Sequence, residues 1–361
     1  MRELSIASAD KKTRIVILNG ARGHIGKWLF EEQLPHAVCV CTDDTVGAIY
    51  ADAVVSAIQS DQVRVAVHSF PPGDASKCLD QLDKLYSHFG KMRLSRDGLV
   101  LALGGGVVSD LAGFAAATWM RGVRFATCPT TLEAAVDASI GGKTGINHAV
   151  GKNMVGAFYH PELVAIDPEC LKTLPGRELS AGLAESVKHA LIRDEALLAW
   201  HEDHEEQILA VEPAVMEELI ERNVRIKAGV VERDERERGE RAVLNFGHTI
   251  GHAIEKWAGY ELRHGEAVAM GMVAAARISS EMGLLDNQAV ARIERLLAAL
   301  RLPTRLDRPV DVEAIDGLTR SDKKVLGERR RWVLLDGIGA TVIRDDLDYG
   351  LVRSAIAGLG A

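Results

Sequence analysis

The chain has 361 residues, enough for about two domains of ordinary size. Apolar residues make up 47% and charged residues 26%, which supplies a sizeable core and excludes disorder as the main state. Lys plus Arg number 43 against 51 for Asp plus Glu, a formal charge of −8 with no long basic tract. That balance disfavours nucleic acid or an anionic membrane as partner, so an anionic ligand must be held by a local cluster of cations.

No apolar run reaches the roughly 18 residues of a membrane span, and the opening MRELSIASADKKTR lacks an apolar signal core. A cytoplasmic location is the expectation. Cys39, Cys41, Cys78, Cys128 and Cys170 show no C-x-x-C pair and read as buried thiols, not as a disulfide frame.

Along the first half, short β-branched runs alternate with helical stretches, the pattern of a parallel sheet covered by helices. The expected strands are Arg14 to Leu18, Ala37 to Cys41, Val63 to Val67, Leu99 to Leu103, Val123 to Cys128 and Leu163 to Asp167. The Pro/Gly punctuation at Leu174 to Gly182 changes the character to mainly helical period. This predicts an α/β dinucleotide-binding domain over 1–176 and a mostly helical metal- and substrate-binding domain over 177–361. The mixed charge run Glu232 to Arg241 reads as a solvated loop or helix end.

Three glycine-rich segments invite a phosphate. Asn19 to Gly26 (NGARGHIG) has the spacing G-x-x-G-x-x-G, not the dinucleotide fingerprint; the acids Asp43 and Asp44 at the next strand end are better candidates for a ribose contact. Gly104 to Gly106 ends a buried strand and opens a helix, leaving amides free to approach a phosphate. Gly141 to Asn147 (GGKTGIN) contains Gly-Lys-Thr, but position 137 is Asp where a triphosphatase loop needs glycine. What remains is a loop with Lys143, followed by Lys152 and Asn153, suited to an anion or equally to ordinary surface lysines.

In NFGHTIGHAIE, His248 and His252 are four apart, on one face of a helix, and His264 opens a later helical run. Glu185 lies in GLAESVKHA with Lys188 and His189 close behind. One carboxylate and two imidazoles with an open position match a catalytic zinc centre. Spacing leaves open which two histidines bind. A dinucleotide fold, a metal and clustered cations together point to metal-assisted redox chemistry on an acidic polyol.

The ordered series PGDASK, GGGVVSDLAGF, RGVRFATCPTTLEAAVDASIGGKTGIN, GKNMVGAF, TLPGRE, GLAESVKHA, RAVLNFGHTIGHAIE, HGEAVAMGM and SDKK resembles 3-dehydroquinate synthase, over roughly Thr42 to Leu335. Within the sugar phosphate cyclases, the intact LNFGHTIGHAIE segment is more similar to dehydroquinate synthases than to inosose or valiolone cyclases. The resemblance implies a Rossmann-like N-terminal domain, a helical C-terminal domain with the active site between them, a homodimer, NAD+ and one divalent ion, Zn2+ or Co2+. It implies metal ligands Glu185, His248 and His264, leaving His252 to substrate or proton handling. The implied NAD contacts are Asp43, Asp74, Lys77, Gly105, Gly106, Val107, Asp110, Thr130, Thr131, Asp137 and Thr173. The implied substrate contacts are Arg121, Lys143, Lys152, Asn153, Lys188, Lys227, Arg241, Asn245, His252 and the pair Lys323 and Lys324.

The implied reaction converts 3-deoxy-D-arabino-heptulosonate 7-phosphate to 3-dehydroquinate and phosphate. It proceeds by transient oxidation at C5, β-elimination of phosphate, return of the hydride, ring opening and aldol closure. Three positions depart from the common pattern: Ser109 for Gly, Glu133 for an apolar residue and Ala138 for Ser. The alternatives are another cyclase, such as an amino-dehydroquinate or inosose synthase, a metal-dependent polyol dehydrogenase that would accumulate NADH, and a binding protein of the same fold without chemistry.

Overall fold

The computed structural model describes residues 1–8, 11–31, 33–321, 331–345 and 347–360. The chain forms two compact units, Met1–Leu174 with Pro213–Arg236, and Pro175–Glu212 with Glu237–Ala361. The first crossing falls two residues before the expected boundary after 176, but the second region is not continuous. Residues 213–236 return to the first unit.

In the first unit the elements are β1 (Arg2–Ala7), β2 (Lys12–Ile17), α1 (Ile25–Leu29), β3 (Ala37–Asp43), α2 (Asp44–Ile58), β4 (Arg64–Phe70), α3 (Leu79–Lys91), β5 (Leu99–Gly104), α4 (Gly106–Thr118), β6 (Arg124–Pro129), β7 (Lys143–His148), β8 (Gly151–Phe158) and β9 (Leu163–Ile166). The large sheet has the order β1-β2-β9-β6-β5-β3-β4, parallel except for the β1–β2 pair. Side chains of β3 alternate between two cores: Val38 and Val40 join one, Ala37, Cys39 and Cys41 the other. Burial on both faces explains why these strands are apolar throughout, and each fully buried valine or leucine adds about 1.5–3 kcal/mol. Cys39, Cys41, Cys128 and Cys170 are buried and Cys78 is half-buried, all free thiols.

The second unit holds α5 (Gly176–Arg193), α6 (Glu195–Asp203), α7 (Glu205–Leu209), α9 (His248–Trp257), α10 (His264–Glu281), α11 (Asn287–Ala299), α12 (Val312–Ser321), the antiparallel pair β10 (Trp332–Leu335) and β11 (Thr341–Arg344), and α13 (Tyr349–Ala357). The returning helix, α8 (Pro213–Arg233), packs on β1 in the first unit. There Asn19 Nδ2 donates to Glu217 at 2.6 Å, Arg2 pairs with Glu221, and Glu232 accepts from the Ala7 amide at 3.0 Å. These bonds, invisible to helical periodicity, decide which unit α8 joins.

Helix α10 packs against α5 and α9 at close range. A Cβ on Gly265 would lie 1.9 Å from the Ala181 carbonyl oxygen, and one on Gly271 2.0 Å from that of Gly247. Only glycine permits this approach, which brings the starts of α9 and α10 beside α5. No described helix is long and apolar enough to cross a membrane.

Candidate active site

In the first unit, β3 leads outward to β4 on one side while β5 leads to β6 on the other. The order therefore reverses between β3 and β5, and the carboxyl ends of strands at such a point form the ligand crevice of open α/β sheets. Asp43 ends β3 and caps α2, accepting from the Thr45 and Val46 amides at 2.9 Å. Gly105 and Gly106 follow β5; Gly105 precedes α4 with no side-chain cap, leaving the first amides of that helix to a ligand. A Cβ on Gly106 would meet that of Ala138 at 3.3 Å, so the missing side chain keeps the cradle open.

Thr130 and Thr131 follow β6. Thr130 Oγ1 is buried with no hydrogen-bond partner among the described residues, whereas Thr131 Oγ1 accepts from the Ala134 amide at 3.1 Å. Asp137 sits in the π-helical turn Ala134–Ala138, a helical irregularity frequent at functional sites. Lys227 of α8 donates to the Asp137 carbonyl at 2.5 Å and also pairs with its carboxylate. Lys77, nearly buried, binds Asp110, whose carboxyl is raised by burial against the opposing pull of that ammonium. Thr173 closes the turn Pro168–Thr173, its hydroxyl 2.6 Å from Tyr50.

The antiparallel pair β7–β8 carries Lys143 at its start and Lys152 and Asn153 on its second strand. Lys152 reaches Asp74 at 3.1 Å, and Lys77 binds Asn153. Asn153 adopts φ +58°.

In the second unit, Glu185 and Lys188 lie one turn apart on α5, each side chain 1% exposed and paired with the other. Glu185 Oε1 is 3.5 Å from His248 Nε2 and 3.6 Å from His264 Nε2. His248, His252 and His264 each offer a ligand atom within 4.8 Å of the others. The Nδ1 of His248 lies 3.1 Å from the Phe246 carbonyl, a bond that protonates Nδ1 and turns the Nε2 lone pair toward Glu185. Burial drives its pKa well below the ordinary imidazole value, against the pull of Glu185, so it stays neutral as a ligand must. His264 Nδ1 is 3.3 Å from Glu255. Asn245 Nδ2 donates to Glu237 Oε1 at 2.7 Å.

The structure thus groups Asp43, Gly105, Gly106, Val107, Thr130 and Thr131 at strand ends or the helix start beyond them, and Glu185, Lys188, His248, His252 and His264 in one cluster. It does not bring Arg121 to the glycines: this residue, at φ +67°, follows α4, whose thirteen residues span about 20 Å. Lys323 and Lys324 lie outside the described residues. Arg241, the last member of the charge run, is 1% exposed and so stands apart from the solvated residues before it. In the loop Asn19 to Gly26, the Gly20 and Arg22 amides are taken by Asp167 at 2.9 and 3.2 Å, leaving a structural turn. Ser109 bonds back to the Gly105 carbonyl at 3.3 Å, and Glu133 is half-exposed at the start of the π-helical turn. Glu237, Glu255 and Tyr50 were missed; a carboxylate three residues past His252 was the one visible signal.

Residues 67–181 match the family described as 3-dehydroquinate synthase N-terminal, and residues 182–325 match 3-dehydroquinate synthase C-terminal. A 3-dehydroquinate synthase of Desulforamulus reducens is 46% identical over 332 residues, covering 91% of this chain and 92% of its own. Among solved structures, a 2-deoxy-scyllo-inosose synthase complexed with carbaglucose-6-phosphate, NAD+ and Co2+ superposes with TM-score 0.89 at 26% identity, covering 99% of each chain. A 2-epi-5-epi-valiolone synthase from Streptomyces hygroscopicus with NAD+ and Zn2+ bound gives 0.88 at 26% identity, covering 99% of this chain and 98% of its own. The chain belongs to the 3-dehydroquinate synthase family.

Proposed function

We propose that this chain is an enzyme that converts 3-deoxy-D-arabino-heptulosonate 7-phosphate to 3-dehydroquinate and phosphate, a phosphate-eliminating lyase of the shikimate pathway, with NAD+ and one divalent ion, Zn2+ or Co2+, as cofactors. The observation that carries it is the buried carboxylate facing two imidazoles at 3.5 and 3.6 Å, in a chain 46% identical to a 3-dehydroquinate synthase. The donor set fits such an ion: three protein ligands, Glu185, His248 and His264, with a position left for substrate oxygens. The open Gly105–Gly106 cradle and the unsatisfied Thr130 hydroxyl fit a dinucleotide. When bound, the ion polarises vicinal substrate oxygens and the dinucleotide takes up and returns a hydride.

The chain's own residues bind, orient and handle protons. Asp43 offers a carboxylate to a ribose, and the first amides of α4 receive the pyrophosphate. Lys143, Lys152, Lys188, Lys227 and Arg241 supply cations for the substrate carboxylate and phosphate, and Asn153 and Asn245 add amide hydrogen bonds. His252, one turn beyond His248, is left to hold or move a proton on the substrate.

Product analysis tests the reading. Incubated with the heptulosonate phosphate, the enzyme yields 3-dehydroquinate and one phosphate per turnover. Product only from glucose 6-phosphate would assign it instead to the inosose-forming cyclases.

A further inference from the structure

Asn147, the last residue of GGKTGIN, is bonded on every side. Its backbone amide donates to the Lys77 carbonyl at 2.8 Å. Its side-chain Nδ2 donates to Asp74 Oδ2 at 3.0 Å and to the Asp74 carbonyl at 3.3 Å. Its Oδ1 accepts from the Asn153 amide at 3.0 Å, at the residue whose φ is +58°. One carboxamide therefore joins the turn that carries Asp74 and Lys77 to the strand that carries Lys152 and Asn153. The same two segments meet again through Lys152 to Asp74 at 3.1 Å and through Lys77 to Asn153.

We propose that Asn147 is a positioning residue that couples the dinucleotide-binding turn at Asp74–Lys77 to the sugar-phosphate-binding strand at Lys152–Asn153, so that NAD+ and substrate each strengthen the other's binding. The inference rests on the functional reading above, which gives the two segments their ligands. The physical argument is local. Asparagine enters the left-handed region more readily than most residues but still at some cost, and the bond from the Asn153 amide to Asn147 Oδ1 helps to hold it there. Releasing it frees Asn153 to extend, which re-aims its own side chain and that of Lys152. Releasing the Nδ2 bonds frees Asp74, which then loses its fixed place both beside the cofactor and against Lys152. A ligand that orders either segment thus prepays ordering that the other requires.

Two substitutions separate the halves. Asn147→Ala removes every side-chain bond. Asn147→Asp keeps the acceptor for the Asn153 amide and places an oxygen against Asp74 Oδ2, turning attraction into repulsion. The test measures NAD+ affinity by tryptophan fluorescence on the metal-loaded, full-length protein, and KM and kcat for phosphate release from the heptulosonate phosphate. With Asn147→Ala the substrate KM rises roughly tenfold and NAD+ affinity falls severalfold, while kcat falls less and the melting temperature drops by only several degrees, as expected for three lost, largely exposed hydrogen bonds. Asn147→Asp hits NAD+ binding at least as hard as the alanine variant and spares more of the substrate KM. Unchanged NAD+ affinity and KM in both variants, with Lys152→Ala still raising KM, would overturn the coupling. If the wild type releases no phosphate but Asn147→Asp still weakens NAD+ binding, the functional reading falls and the staple on the cofactor side stands.

Discussion

Lys188→Met tests how the second unit balances its buried charge. The methionine keeps most of the lysine stem and removes the ammonium from a pair whose side chains are each 1% exposed. Removing one partner of a buried ion pair costs about 3–5 kcal/mol, because the other charge is left in a poorly solvating interior. For a cooperative unit of 150–250 residues, about 2–4 °C of melting temperature is lost per kcal/mol, so the metal-free variant should melt about 6–20 °C below the wild type. A divalent ion on Glu185 supplies the missing positive charge. Saturating Zn2+ or Co2+ should therefore recover at least half of the deficit, beyond the stabilisation that the same ion gives the wild type. Differential scanning fluorimetry of both proteins, after chelation and after metal addition, reads the four values. An equal deficit with and without metal would refute the claim that Lys188 and the ion share the Glu185 charge.

Gly265→Ala places a Cβ 1.9 Å from the Ala181 carbonyl and must push α10 from α5; it should cost about 1–3 kcal/mol and lower retained metal, read by elemental analysis after dialysis. Glu255→Ala removes the carboxylate 3.3 Å from His264 Nδ1 and should weaken metal binding about 10–100-fold in a competitive chelator titration, with Glu255→Gln falling between. Asp43→Asn should keep the cap of α2 and weaken NAD+ binding, whereas Asp43→Ala should lose about 1 kcal/mol of stability as well; chemical denaturation and fluorescence titration separate the two effects.

The central strands were legible because burial on both faces writes itself as an unbroken apolar run: β3 and β5 extend their expected ranges by one or two residues at the carboxyl end. The pair β7–β8 was not. Its second strand is largely exposed, carries two glycines and two polar residues in eight, and is fixed by register and by the bonds of Lys152 and Asn153 to the Asp74–Lys77 turn, none of which shows as a period-two pattern. The return of α8 was hidden for a related reason, since periodicity gives a helix an apolar face but not the surface it covers. At the site, residue types and order named Glu185 and the three histidines, but spacing left open which two histidines bind, whereas the structure sets His248 and His264 both beside Glu185. Composition alone places the charge run at the surface, and the burial of Arg241, its last member, is legible only from the resemblance that gives it a substrate contact.

The central claim is that Glu185, His248 and His264 hold the ion on which a dinucleotide-recycling elimination depends. Following phosphate release and absorbance at the NADH wavelength together, in wild type and His264→Ala, before and after chelation, tests it most directly. The account predicts steady phosphate release with no accumulating NADH, loss of phosphate release on chelation, recovery with Zn2+ or Co2+, and no recovery in the variant. Turnover that survives chelation, or NADH rising in step with product, would contradict it.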